Sequence, residues 1–294
     1  KRGGVETCLL DIVMKKSDKY REILSELTIN NFDYIKDKYN YTQSEMLGLL
    51  DFGKRTDCFL DKREMFNNLL LEKQFLLELN ESKVGLISDT HIGSYKDNFD
   101  YINAAYNRFD LENIETVFNL GDFFDAFNEQ KGYTKQEINT ICTKQIQRAY
   151  DLYPKNKKTY IIFGNHDELF RKAGIDLRKE LNTSYLIPLG YGGCYIKIYN
   201  YKIFLEHEVK SSRLVPPLYN YDAIIGGHSH FFKYKSTRNH LKITSCCDIQ
   251  PNGYFNDLYY PGFATLNAES NLTVNGYTFR NNDIKEVIKV KIKD

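Results

Sequence analysis

The sequence predicts an α/β protein carrying a helical N-terminal extension. Three observations carry that prediction. From Lys83 onward short β-rich runs recur, with helical stretches between the first three. Five polar segments each follow the end of such a run. Residues 1–80 read instead as helices broken by polar punctuation, so the expected division is 1–80 and 81–294.

In the extension, 17–27 has Ser17 as an N-cap and apolar residues at helical spacing. Helices at 32–39 and 42–52 follow, the second ending near Gly53. A last helix over roughly 64–79 places Phe66, Leu69, Leu70, Phe75, Leu76 and Leu79 on one stripe. Beyond it, 83–88, 116–120, 159–163, 194–199, 201–206 and 222–226 read as strands, with helices at 97–109 and 135–150. After His230 come further strand-like runs, and Asn275-Gly276 reads as a hairpin turn.

Composition narrows the function. Forty basic against 39 acidic residues leave a net charge of +1, no global field to gather polyanions. No apolar run reaches a membrane span, and no leader is read although the chain opens on Lys1 without Met. The six cysteines are scattered, Cys246 and Cys247 being adjacent, and form no CxxC pair. They read as free thiols of a reducing compartment, which places the protein in the cytoplasm.

The chemistry lies in the five segments: DTHIG (89–93), GDFFD (121–125), GNHDE (164–168), His207 in LEHE, and GGHSH (226–230). They hold five of the six histidines, and histidine is the commonest metal ligand. Strand ends of an α/β sheet converge on one crevice, so the five segments describe one site. Asp89 and His91, two apart beyond a strand, leave the backbone on one side, as do His228 and His230. Asp122 has two oxygens to share between cations, or else caps a helix. Asp125 fits capping better and reads as structural. Asn165 adds a neutral oxygen, and His166 either ligates or donates a proton. Asp167 orients a neighbouring imidazole or caps the next helix. Arg171, Lys172, Lys210 and Arg213 read as solvated charges, and His240 as structural.

Nitrogen and oxygen donors without thiolate suit Mn, Fe, Zn or similar ions. Seven ligands with one shared carboxylate suit two adjacent cations, with one histidine to spare. Such a pair clamps a phosphoryl group and generates hydroxide for in-line attack, the spare histidine protonating the leaving oxygen.

In this order, the residues closely resemble the signature of the calcineurin-like metallophosphoesterases: D-x-H, GD, GNH[DE], a strand-end His and GH-x-H, over roughly 83–245. The resemblance implies a four-layer αββα sandwich with a two-metal site. By position, Asp89, His91, Asp122 and His230 hold one cation, and Asp122, Asn165, His207 and His228 the other. His166 becomes the proton donor, with Asp167 beside it as a second catalytic candidate. Mn is the first choice of metal, with Fe, Zn, Ni and Mg as alternatives. Glu208 departs from the glycine that often follows the fourth-segment histidine. The helical extension and the KAGID run (172–176) look like a phage and prokaryotic subgroup.

The implied function is a metal-dependent phosphoesterase, foremost a phosphodiesterase, acting on a phosphoester substrate without a membrane partner. A DNA exo- or endonuclease is an alternative, since DTHIG and GDFFD also resemble the repair-nuclease branch. Only about sixty residues follow His230, few for an added DNA-capping domain beside the closing strands. A catalytically inactive scaffold is recognised by missing ligands, and none is missing. A helix-turn-helix-like module in 1–80 lacks a basic face for nucleic acid. Substrate identity and oligomeric state are not legible in the sequence.

Overall fold

The computed structural model describes residues 19–27, 32–41, 46, 49–50, 76–128, 131–191, 193–207, 221–236, 239–249, 260–280 and 283–293. Ser17, most of 42–52, residues 64–75, Glu208, Lys210 and Arg213 lie outside them. The chain forms two compact units, Lys1–Phe75 and Leu76–Asp294. In the first, α1 (19–27) and α2 (Phe32–Lys38) match the predicted helices. Ile23, Leu24, Leu27 and Ile35 are buried. Glu26 links the two helices, accepting from Lys38 Nζ and from the Tyr39 hydroxyl, each at 2.6 Å.

The second unit opens with a correction. Leu76–Leu79 is a strand, β1, not the end of a helix. Leu77 and Leu79 are half-buried while Glu78 is exposed, a two-residue period that a leucine-rich run hides inside a helical stripe. β1 pairs in parallel with β6 (Gly193–Ile198), a partner distant in sequence.

Two sheets form the body. One has the order β1-β6-β7-β8-β10-β9, where β7 is Tyr201–Glu206, β8 Ala223–Gly226, β9 Lys233–Lys235 and β10 His240–Lys242. The other has the order β13-β12-β11-β2-β3-β4-β5. Its members are β2 (Lys83–Ile87), β3 (Thr116–Asn119), β4 (Lys158–Phe163), β5 (Leu186–Tyr191), β11 (Gly262–Asn267), β12 (Leu272–Arg280) and β13 (Asp283–Lys293). β2 to β5 run parallel, and β2, β3 and the end of β4 are buried on both faces, which explains their continuous apolar runs. Val84, Leu86, Phe118 and Ile162 meet Ile196, Ile203, Leu205 and Ile225 of the other sheet. The alternate residues Ile87, Val117, Ile161 and Phe163 face a helical layer.

That layer holds α3 (Phe99–Leu111), α4 (Lys135–Leu152), α5 (Glu168–Lys172) and α6 (Leu177–Glu180). Asn98 caps α3, accepting from the Asp100 and Tyr101 amides. Thr134 and Glu137 close a capping box on α4. The fold is thus the predicted α/β sandwich. Asn275-Gly276 makes no turn. It lies inside β12 at a bulge, where Gly276 lets Phe232 and Ile288 approach the backbone.

Candidate metal centre

Four of the five polar segments begin where β2, β3, β4 and β7 end, and the fifth begins on the last residue of β8. Both sheets therefore deliver side chains to one rim. The loops are locked together: the Asp89 amide donates to Gly121 O at 2.8 Å and the His91 amide to Asp122 O at 3.0 Å. The Gly227 amide donates to His207 O at 3.0 Å. Close approach sets the glycine positions. A Cβ on Gly121, at φ +103°, would strike the His207 ring, and one on Gly227 would strike Ser88 and Asp89.

Five of the seven ligand candidates are strained, and Asp89, His91, Asp122, His207 and His230 are buried. Asp89, His91, Asp122, His228 and His230 have φ of 51°, 44°, 47°, 67° and 56°. That region costs non-glycine residues on the order of 1–3 kcal/mol each and persists only where surroundings enforce it. Here it turns paired side chains toward the rim. No motif in the sequence announces this.

Asp89 shows the fit to a cation most directly. Its Oδ2 accepts from Ser88 Oγ at 2.5 Å and from the His228 amide at 2.9 Å. Its Oδ1 is fully buried without a hydrogen-bond partner, 3.2 Å from His230 Nε2. Burial alone would raise the Asp89 pKa; the close approach of His230 and the fields of His230, His207 and His91 hold it well below the usual range. His230 Nδ1 lies 2.8 Å from Ile249 O, and a carbonyl only accepts, so Nδ1 carries the proton and Nε2 faces inward. His91 Nε2 stands 3.4 Å from His230 Nε2. Asp89, His91 and His230 form one cluster of convergent ligand atoms.

A second cluster is Asp122, His207 and His228, and a third, His91, Asp125 and His166, shares His91 with the first. His207 Nδ1 donates to Leu120 O at 2.8 Å, which aims Nε2 into the site. Around Nε2 stand Asp122 Oδ2 at 3.1 Å, Asn165 Oδ1 at 3.2 Å and His228 Nδ1 at 3.2 Å. Burial opposes charge on His207, but the bond to Asp122 and the fields of Asp89 and Asp122 outweigh it and raise its pKa to about 9. A proton is thus held where these acceptors converge, the electrostatic demand a cation also meets. Asp122 Oδ1 accepts from the His166 amide at 2.8 Å, while Oδ2 faces both His207 and, at 3.9 Å, His91 Nε2.

His166 sits on the rim, its side chain 38% exposed, with Nδ1 2.9 Å from Asp125 O. Asp167 departs from expectation. It stands at the N-cap position of α5, but its side chain makes no capping bond there. Instead it accepts from the Phe123, Phe124 and Gly164 amides at 3.0, 2.9 and 2.8 Å, stitching the GDFFD and GNHDE loops together. Burial, then the charge of Asp122, pushes its pKa up to about 7 against the pull of those amides. Its buried carboxylate thus clamps the two loops to each other. Nor does Asp122 or Asp125 cap an α-helix: among the described residues the next one starts at Lys135 under Thr134.

Sequence reasoning missed Gln145. This buried residue of α4 accepts from the Ala126 amide at 3.0 Å and donates to Ala126 O at 2.8 Å, clamping the end of the GDFFD loop. A lone glutamine on an amphipathic helix carries no signal of such a role.

Residues 82–232 match the family model of the calcineurin-like phosphoesterases, half of the chain, and the chain belongs to that family. It is similar to a phosphodiesterase of Methanocaldococcus jannaschii, 27% identical over 169 residues covering 56% of this chain and 84% of that protein. Among solved structures, an E. coli phosphoesterase, Yfce, is 17% identical with a TM-score of 0.45, covering 72% of this chain and 100% of its own. Zinc-complexed Vps29 of Entamoeba histolytica is 18% identical with a TM-score of 0.44, covering 72% and 99%.

Proposed function

We propose that the protein is a phosphodiesterase working at a paired-cation centre. The position of Asp122 Oδ2, facing His207 Nε2 at 3.1 Å and His91 Nε2 at 3.9 Å, is the observation that carries the reading. Asp89, His91, Asp122 and His230 would hold one cation, and Asp122, Asn165, His207 and His228 the other. The donor set suits Mn first, then Fe, Zn, Ni or Mg. When bound, such a pair supplies Lewis acidity at the phosphoryl group and lowers the pKa of water.

The chain's own residues supply the rest. Asp89 and Asp122 offset the cations' charge in a buried setting, and carbonyl-anchored His207 and His230 keep Nε2 fixed toward them. His166, anchored through Nδ1, presents Nε2 to the leaving oxygen and gives it a proton. The name of the M. jannaschii relative supports the diester class. Four buried free cysteines among the described residues support a reducing, cytoplasmic setting.

The test is turnover of bis-p-nitrophenyl phosphate, p-nitrophenyl phosphate, 2′,3′-cyclic nucleotides and single-stranded DNA by Mn-loaded protein. Diesters are expected to be hydrolysed faster than the monoester, with chelator or His166→Ala abolishing turnover. Full activity in chelator would sink the metal assignment, and a faster monoester the diesterase assignment. Degradation of DNA alone would replace this reading with a nuclease.

A further inference from the structure

We propose that Asp125 is a positioning residue for His91, accepting from its Nδ1–H so that Nε2 presents its lone pair to the first cation. The inference rests on the paired-cation reading above and assigns a role to a residue outside the seven ligands.

Three observations lead to it. First, two of the three other ligand histidines have their outer nitrogen secured on a carbonyl: His207 Nδ1 on Leu120 O and His230 Nδ1 on Ile249 O, both at 2.8 Å. His91 Nδ1 is buried and has no hydrogen-bond partner. Second, Asp125 Oδ1 stands 3.3 Å from that nitrogen, on the ring edge away from the inward Nε2 contacts to His230 and Asp122. A ligating histidine ordinarily gives its other ring proton to a carboxylate or carbonyl, which fixes the tautomer and raises ligand basicity. Third, the carboxylate is delivered by a fixed backbone. The Asp125 amide donates to Ile92 O at 3.1 Å, and the next residue is clamped at both polar groups by Gln145. The Asp125 side chain is 33% exposed, and the same Oδ1 lies farther, 3.8 Å, from His166 Nδ1.

The experiment titrates Mn²⁺ into metal-free protein by calorimetry, comparing wild type with Asp125→Ala, Asp125→Asn, His91→Ala and the His91→Ala/Asp125→Ala double variant. Far-UV circular dichroism and the thermal midpoint of each metal-free protein report folding separately. Asp125→Ala is expected to weaken one of the two equivalents by about 10- to 100-fold, the usual effect of removing such a partner. The other equivalent should stay within about threefold. Asp125→Asn keeps an oxygen facing Nδ1 and should recover most of the loss. In the His91→Ala background Asp125→Ala should add nothing, because the contact is already gone. Wild-type affinity in Asp125→Ala overturns the proposal, as does an equal loss with and without His91. If wild type takes one equivalent, the paired-cation reading fails and the Asp125 comparison stands on the equivalent that His91→Ala removes. If it takes none, both fail.

Discussion

Asp122 Oδ2 stands 3.1 Å from Nε2 of His207, a residue that the other sheet delivers to the rim. The same oxygen also faces His91, so one carboxylate borders both clusters. Removing it and removing a one-sided ligand therefore have different consequences. Asp122→Ala is expected to abolish binding of both cations, and Asp89→Ala of one. Diester turnover of Asp122→Ala should fall further than the roughly 10²- to 10³-fold typical of losing one electrostatic contact. Metal content after equilibrium dialysis is the check. Two equivalents retained by Asp122→Ala would contradict a shared carboxylate.

Gly227 tests whether close packing of the loops, and not chain flexibility, sets the glycines of the motifs. A methyl group there would collide with Ser88 and with the Asp89 carboxylate. Forced overpacking of a tight site costs about 1–3 kcal/mol, and here the atoms that must yield are the ones that saturate Asp89 Oδ2. Gly227→Ala is expected to lower the urea midpoint and to weaken metal binding together. Unchanged affinity at lowered stability would show that Asp89 need not move.

The five motif segments, their strand-end placement and the central strands were legible because parallel strands buried on both faces leave continuous apolar runs. β1 was not, because Leu76 and Leu79 fall on a helical stripe while Leu77 and Leu79 fall on an alternating one. Pairing with β6 decides between them, and pairing is not a local property. Asn275-Gly276 carries a hairpin signal, yet its Gly276 serves a bulge on which Phe232 packs. Asp167 was misread for a related reason. Its place before a helix suggests a cap, while its partners come from the neighbouring loop. Gln145 and the positive φ of the ligands exist only once the loops meet.

The pH dependence of metal binding follows from His207. Folding raises its pKa from 6.5 to about 9 in the metal-free protein, burial being outweighed by Asp122 and Asp89. That stabilisation is complete below about pH 6.5 and is lost as pH rises through 9. A cation must displace the same proton, so its apparent affinity should rise about tenfold per pH unit for that one proton, up to about pH 9. Metal-free protein should meanwhile become less stable over the same window. Calorimetry in buffers of different ionisation enthalpy measures the released proton. Affinity that is flat between pH 6.5 and 9 would mean that His207 binds its cation without giving up a proton.

Gln145 holds the backbone that anchors the catalytic histidine without itself bonding to a metal ligand. Its side-chain amide pairs with both polar groups of Ala126, which sits at a φ of 58° directly after the carbonyl that anchors His166. In Gln145→Leu the Ala126 N–H and C=O are buried without partners, at a cost of roughly 2–4 kcal/mol. Gln145→Glu keeps the acceptor but turns a second oxygen toward Ala126 O, so it should be intermediate in stability. None of the seven ligands contacts Gln145 directly in the hydrogen bonds it makes. Metal stoichiometry is therefore expected to survive while kcat falls, because the His166 anchor loosens and proton delivery to the leaving oxygen loses its geometry. A substrate with a good leaving group, such as bis-p-nitrophenyl phosphate, needs that proton less than one with an alkoxide leaving group. The variant should accordingly lose more activity on the second kind. Equal losses on both would place the defect in the cation sites and not at His166.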